Sequence, residues 1–145
     1  CLSRQNLPRL TGVDHADDMR RGGYVLADSP DPQAVIIGTG SELSLAMQAH
    51  ALLATQGIRT RVVSMPSTSV FDRQPRAWQD RVLPVHLPTV AVEAAHPDIW
   101  RKYVGRSGAV VGIASFGESA PAPALYRHFG ITADAVVQAV KDVIA

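Results

Sequence analysis

From residue 34 onward, short continuous apolar runs alternate with stretches in which apolar residues recur every three or four positions. Ala34-Val35-Ile36-Ile37 is the clearest run, and it ends in Gly38-Thr39-Gly40-Ser41. A run of this length without polar alternation suits a strand buried on both faces, as in a parallel sheet. Three more runs have the same character: Thr60-Arg61-Val62-Val63-Ser64, Thr89-Val90-Ala91-Val92 and Ala109-Val110-Val111-Gly112-Ile113. Between the first two, Leu45, Ala46, Ala49, Leu52 and Leu53 form one stripe of a helix predicted over 41–56. Thr39 and Glu42 stand at capping-box spacing before it, and Gly57 supplies a left-handed stop. Shorter helices are predicted around 74–82 and 98–104, and Pro121 opens another that Gly130 ends. The last helix starts near Thr132, with Val136, Val137, Val140, Val143 and Ile144 as its core stripe. Asp134 near its start and Lys141 near its end complement the helix dipole.

Residues 1–33 have a different texture. They carry Pro8, Gly12, Gly22, Gly23, Pro30 and Pro32 beside a charged cluster of Asp14, His15, Asp17, Asp18, Arg20 and Arg21. Only Tyr24-Val25-Leu26 reads as a strand there, and the rest reads as a connecting arm. Strands alternating with helices define an α/β fold: an open, mostly parallel (mixed) sheet of about five strands flanked by helices.

Composition narrows the function classes. The 145 residues suit one domain that buries about two thirds of its unfolded surface without a disulfide or metal staple. With 46% hydrophobic and 19% charged residues, the chain is no disordered polymer. A formal net charge of +1 argues against a nucleic-acid partner bound through bulk positive charge. No apolar stretch approaches the roughly 20 residues of a membrane span, so no membrane partner is expected. Cys1 is the single cysteine, which leaves no internal disulfide and makes the cytoplasm the default compartment. The start at Cys1, without a methionine or a signal peptide, is read as that of a piece of something longer.

Open α/β sheets bind ligands outside the carboxyl ends of their strands. Those ends carry Gly38-Thr39-Gly40-Ser41, Ser64-Met65-Pro66-Ser67, Glu93-Ala94-Ala95-His96 and Ser115-Phe116-Gly117-Glu118-Ser119, so a crevice lined by hydroxyls and carboxylates is expected. The first turn has the amides for an anion site but lacks GxGxxG spacing and a P-loop lysine, and a capped tight turn is the preferred reading. Glu93, His96 and a serine suggest a hydrolytic triad, but no GxSxG elbow presents a nucleophile, and a polar rim is favoured. The histidines at 15, 50, 86, 96 and 128 have no metal-binding spacing, and Cys1 has no activating neighbour. Trp78 and Trp100 read as packing anchors or an interface patch, and Arg20 and Arg21 as a solvated charged loop. Arg4 has the fork geometry that suits a phosphate or carboxylate, although a lone arginine in an arm is usually a surface charge.

Several motifs occur in the order expected of the C-terminal part of transketolase. They are Ser3-Arg4-Gln5-Asn6-Leu7-Pro8, Gly22-Gly23-Tyr24-Val25-Leu26 and Thr39-Gly40-Ser41-Glu42. Arg61-Val62-Val63-Ser64-Met65-Pro66-Ser67 with Phe71-Asp72, Val92-Glu93-Ala94 and Lys102-Tyr103-Val104-Gly105 follow, and Phe116-Gly117-Glu118-Ser119-Ala120-Pro121-Ala122 completes the set. The chain resembles that family over nearly its whole length, so a fold like the transketolase C-terminal domain is implied. The resemblance makes 1–21 the tail of a preceding pyrimidine-binding domain with its linker, and 22–145 the C-terminal domain. It implies a cytoplasmic homodimer of the pentose phosphate pathway that moves a two-carbon ketol unit between ketose and aldose phosphates. Thiamine diphosphate and a divalent metal (Mg or Ca) would serve the full-length enzyme, held between the first two domains of opposite subunits. No cofactor, metal site or catalytic residue is then expected in these residues, and the fragment alone should be inactive, with a packing, dimer-support or regulatory role. Arg4 resembles the family's arginine that grips the sugar-phosphate group. Two other readings compete: a non-enzymatic α/β module for anion binding or assembly, and a related thiamine-diphosphate enzyme such as a two-oxoacid dehydrogenase subunit or deoxyxylulose-phosphate synthase. The first and last motifs favour transketolase over the latter.

Overall fold

The computed structural model describes residues 6–10 and 15–145. Among them one sheet is built from β1 (Tyr24–Ala27), β2 (Ala34–Gly38), β3 (Thr60–Ser64), β4 (Thr89–Val92) and β5 (Ala109–Val111), in the order β1-β3-β2-β4-β5. β2, β3, β4 and β5 run parallel, and β1 pairs antiparallel with β3 at the edge. The mixed five-stranded sheet expected from the sequence is the one observed.

β2 lies at the centre, and Ala34, Val35, Ile36 and Ile37 retain no exposed surface. Because successive side chains point to opposite faces, Ile36 joins one core and Val35 with Ile37 the other. The first core is closed by α2 (Leu43–Thr55) and α7 (Ala133–Ile144), which supply Ala46, Ala49, Leu53, Val136, Val137 and Val140. The second is closed by α3 (Thr68–Phe71), α4 (Arg76–Val82) and α5 (Asp98–Val104) through Phe71, Val82, Trp100 and Val104. Two further helices, α1 (Ala16–Met19) and α6 (Ala122–His128), bury no residue completely.

Three helix ends follow from local chemistry. Thr132 accepts the Ala135 amide at 3.1 Å and caps α7, and Gly57 ends the α2 turn at φ 76°. Ser67 caps the unforeseen α3 by accepting from the Val70 amide. That turn sits beneath Gly22-Gly23, where the chain passes so close that a Cβ on Gly22 would lie 2.5 Å from the Phe71 nitrogen. Leu52 departs from the predicted α2 stripe. It is 39% exposed, because the sheet is met by the Ala46, Ala49 and Leu53 side of the helix.

Trp100 is the buried anchor expected of it, whereas Trp78 is half-buried and donates its indole N–H to the Gly23 carbonyl at 3.1 Å. Arg20 forms the exposed pair with Asp17 that a solvated loop implies. Arg21 instead lies 4.2 Å over the Trp78 ring, since stacking a guanidinium on an indole is more favourable than leaving both in water. Across the second face, Tyr103 donates to Asp72 Oδ1 at 2.9 Å, and Lys102 Nζ stands 2.7 Å from Oδ2. The lysine's hydrogen bond holds the Asp72 carboxyl below its usual range. Partial burial, with the carboxylate beside it, pushes the Tyr103 phenol up to about 12.

Two measurements follow. In urea denaturation Leu53→Ala should cost about 2–5 kcal/mol, the price of a cavity in a closed core, while Leu52→Ala should cost under about 1 kcal/mol. Unfolded tyrosines ionise near pH 10, whereas Tyr103 stays protonated to about 12. Its contribution to stability is therefore complete below pH about 10 and lost as pH rises toward about 12. Thermal melts across that window should fall more steeply for the parent chain than for Tyr103→Phe.

Candidate functional site

The carboxyl ends of β2, β3 and β4 meet at one end of the sheet, as the general rule for open α/β folds anticipates. The turn after β2 divides this end. Thr39 is extended, Gly40 takes φ 53°, and Gly40–Glu42 form a single 3-10 turn leading into α2. On the β3 side lies a hollow of about 300 Å³ between the arm residues Leu7 to Leu10 and Tyr24, Ser41 and Ser64. On the α5 side lies a second, of about 290 Å³, lined by Thr39, Pro66, Ser67, Thr68, Glu93 and Trp100. The 115–119 segment stays outside this arrangement: all five residues are exposed, and Phe116 is 97% exposed.

The Thr39–Glu42 capping box does not form, since the Thr39 side chain makes no cap hydrogen bond. Glu42 turns inward instead and is only 4% exposed. Its Oε1 accepts from Ser41 Oγ at 2.6 Å and from the Tyr126 hydroxyl, and its Oε2 accepts the Ala94 amide at 3.2 Å. Tyr126 also sits 3.1 Å from Ser41 Oγ. One carboxylate thus ties the start of α2 to the loop after β4 and to α6. A negative charge there also complements the helix dipole. The reason for the departure is competition: a buried carboxylate needs several donors, and the tertiary structure offers three. Nothing in the sequence pairs Tyr126 with Glu42, because 84 positions separate them and neither belongs to a shared local motif.

The imagined triad does not assemble. Glu93 Oε2 accepts the Trp100 indole N–H at 2.7 Å, and exposed His96 faces Asp98 Oδ2 at 3.5 Å. Three of the other histidines have separate partners: His15 packs on Tyr24, His50 Nδ1 lies 2.8 Å from Thr60 Oγ1, and His128 faces Glu118. Burial lowers the His50 imidazole pKa, only partly offset by Asp28, and so favours the neutral ring beside the threonine. Among the described residues no group of three or more His, Cys, Asp or Glu side chains could hold a metal ion, and no helix is long and apolar enough to cross a membrane. Arg4 and Cys1 lie outside the described residues.

Fold and site together define a doubly covered α/β domain with an arm over its strand ends. The model of the transketolase-like TK C-terminal domain matches residues 22–132, and the chain belongs to that family. It is 47% identical over 146 residues to transketolase 1 of Escherichia coli and 50% identical over 141 residues to the plasmid transketolase of Cupriavidus necator. These alignments cover 99% and 97% of the chain but 22% and 21% of those relatives. The chain therefore spans about a fifth of their length. Among solved structures, transketolase from Leishmania mexicana superposes with a TM-score of 0.83 at 44% identity, covering 88% of this chain and 18% of that one. A transketolase from Pichia stipitis, in complex with sedoheptulose-7-phosphate, gives 0.85 at 36% identity, with 97% and 20% covered. The transketolase reading is supported over the free-standing module and the related thiamine-diphosphate enzymes.

The Glu42 clamp has a direct test. Glu42→Ala and Tyr126→Phe, each measured by urea denaturation, should be strongly non-additive when combined, with a coupling of about 0.5–3 kcal/mol. Simple additivity would show that the contact carries no stability.

Proposed function

We propose that this chain is the C-terminal portion of a transketolase, a cytoplasmic homodimer that moves a two-carbon ketol unit between ketose and aldose phosphates in the pentose phosphate pathway. The observation that carries this reading is identity of 47% over 99% of the chain to a transketolase. Residues 1–21 are assigned to the tail of the pyrimidine-binding domain and its linker, and 22–145 to the C-terminal domain.

In this reading Arg4 binds the substrate phosphate. A guanidinium presents two parallel N–H donors that match a pair of phosphate oxygens, fixing the far end of the substrate while its charge offsets the phosphate's. The arm that carries it reaches the strand ends at Leu7 to Leu10. Thiamine diphosphate, when bound, supplies the electron sink for the carbon–carbon bond change. The described residues do not fit that group, because they offer no cluster able to hold its divalent metal. On the family resemblance, cofactor and metal are assigned to the remainder of the longer protein, and no chemical step is assigned to residues 22–145. Their part is to pack, to support the dimer, and to carry the arm.

The test compares substrates with and without a phosphate in the full-length enzyme. Arg4→Ala should raise KM for a ketose phosphate by about 10- to 150-fold, the loss of a charged hydrogen bond worth about 1.5–3 kcal/mol. KM for an unphosphorylated ketose should stay unchanged. An equal effect on both would remove Arg4 from phosphate recognition. The 145-residue chain supplied with thiamine diphosphate and magnesium should show no ketol transfer, and turnover would overturn the assignment of chemistry to the rest of the protein.

A further inference from the structure

The hollow on the α5 side takes no part in the function proposed above. It lies at the point where the chain reverses its direction across the sheet. β2 leads to β3 on one side, and the next crossover returns to β4 on the other. At this switch point Glu42 ties the turn after β2 to the loop after β4, and the hollow opens beside that tie, bounded by residues 65–68 after β3. The volume, about 290 Å³, is at the lower end of small-molecule pockets.

Its lining selects by charge. Glu93 supplies a carboxylate whose Oε2 is held at 2.7 Å by the indole N–H of buried Trp100. This contact fixes the carboxylate without neutralising it. Thr39, Ser67 and Thr68 bring hydroxyls, and the Thr39 hydroxyl is not consumed by capping. Ile99, 54% exposed, and Pro66 give the rim an apolar side. Among the described residues no Lys, Arg or His lines the hollow. An anion entering here would meet the Glu93 charge with no cation to offset it. A polyhydroxylated neutral molecule would meet an acceptor for its hydroxyls, hydroxyls able to donate or accept, and an apolar surface for its C–H face.

We propose that this hollow binds a small neutral polyol, an unphosphorylated sugar or sugar alcohol, with Glu93 accepting hydrogen bonds from its hydroxyls. It is thereby distinguished from the sugar-phosphate recognition assigned to Arg4, and it holds whether or not that assignment does.

The Trp100 indole N–H reports on the site directly. In the 145-residue chain, with its two tryptophans labelled with ¹⁵N, ribitol should shift the Trp100 indole resonance and leave that of Trp78 in place. Glu93→Gln keeps an acceptor for the indole but removes the charge, and it should weaken ribitol binding about tenfold, or about 1.4 kcal/mol. Thr39→Val, at a turn position that makes no cap hydrogen bond, should weaken it independently if Glu93→Gln perturbs folding. Ribose 5-phosphate should bind more weakly than ribitol. The proposal fails if ribitol leaves the Trp100 resonance unmoved, or if both folded variants bind it as tightly as the parent. It also fails if ribose 5-phosphate or ethanolamine displaces ribitol at lower concentration, which would make the hollow an anion or ammonium site.

Discussion

The structure depends on the complete burial of β2. A strand with four consecutive apolar residues and no exposed surface must be paired on both edges and covered on both faces. β3 and β4 satisfy its backbone groups, and two helical layers take up its side chains, with α2 and α7 on one side and α3 to α5 on the other. Parallel pairing on both sides then requires crossovers. The layered architecture follows from a single hydrophobic run.

Because the parallel strands end together, the same constraint gathers their small and polar carboxyl-terminal residues at one end of the sheet. What happens there is set by a different force, the need of a buried carboxylate for donors. Glu42 sits within this end and draws Ser41, the Ala94 amide and Tyr126 to itself. The consequence is chemical as well as structural. With Glu42 inside and Glu93 on the rim, the start of α2 is an acidic environment, which disfavours the anion-binding module considered from the sequence.

The family assignment and the general rule for α/β sheets point to different places. The proposed function assigns phosphate recognition to Arg4 and the reaction to other parts of a longer protein. The rule points to the switch point beside Glu93. The two are compatible because they concern ligands of different charge: a guanidinium suits an anionic phosphate, while an unneutralised carboxylate suits the hydroxyl donors of a neutral molecule.

By itself the sequence determined the strands, the main helices and the family. Their signals are local: continuous apolar runs, a Thr132 cap that the structure retains, a glycine at position 57 able to adopt positive φ, and motifs read in order. Leu45, Ala46, Ala49, Leu52 and Leu53 show where such signals stop, since periodicity marks a stripe but the sheet decides which edge of it is covered, leaving Leu52 outside. Tertiary structure alone decided the partners of the charged and polar groups that bond beyond their own turn. Glu42 stood at capping-box spacing yet binds Tyr126, Arg21 left its acidic neighbours for Trp78, and Glu93 met Trp100 rather than His96. Hydrophobic burial is non-directional, and its pattern can be read along the chain. A hydrogen bond or an ion stack needs two groups at a defined distance, and that distance exists only once the fold has closed.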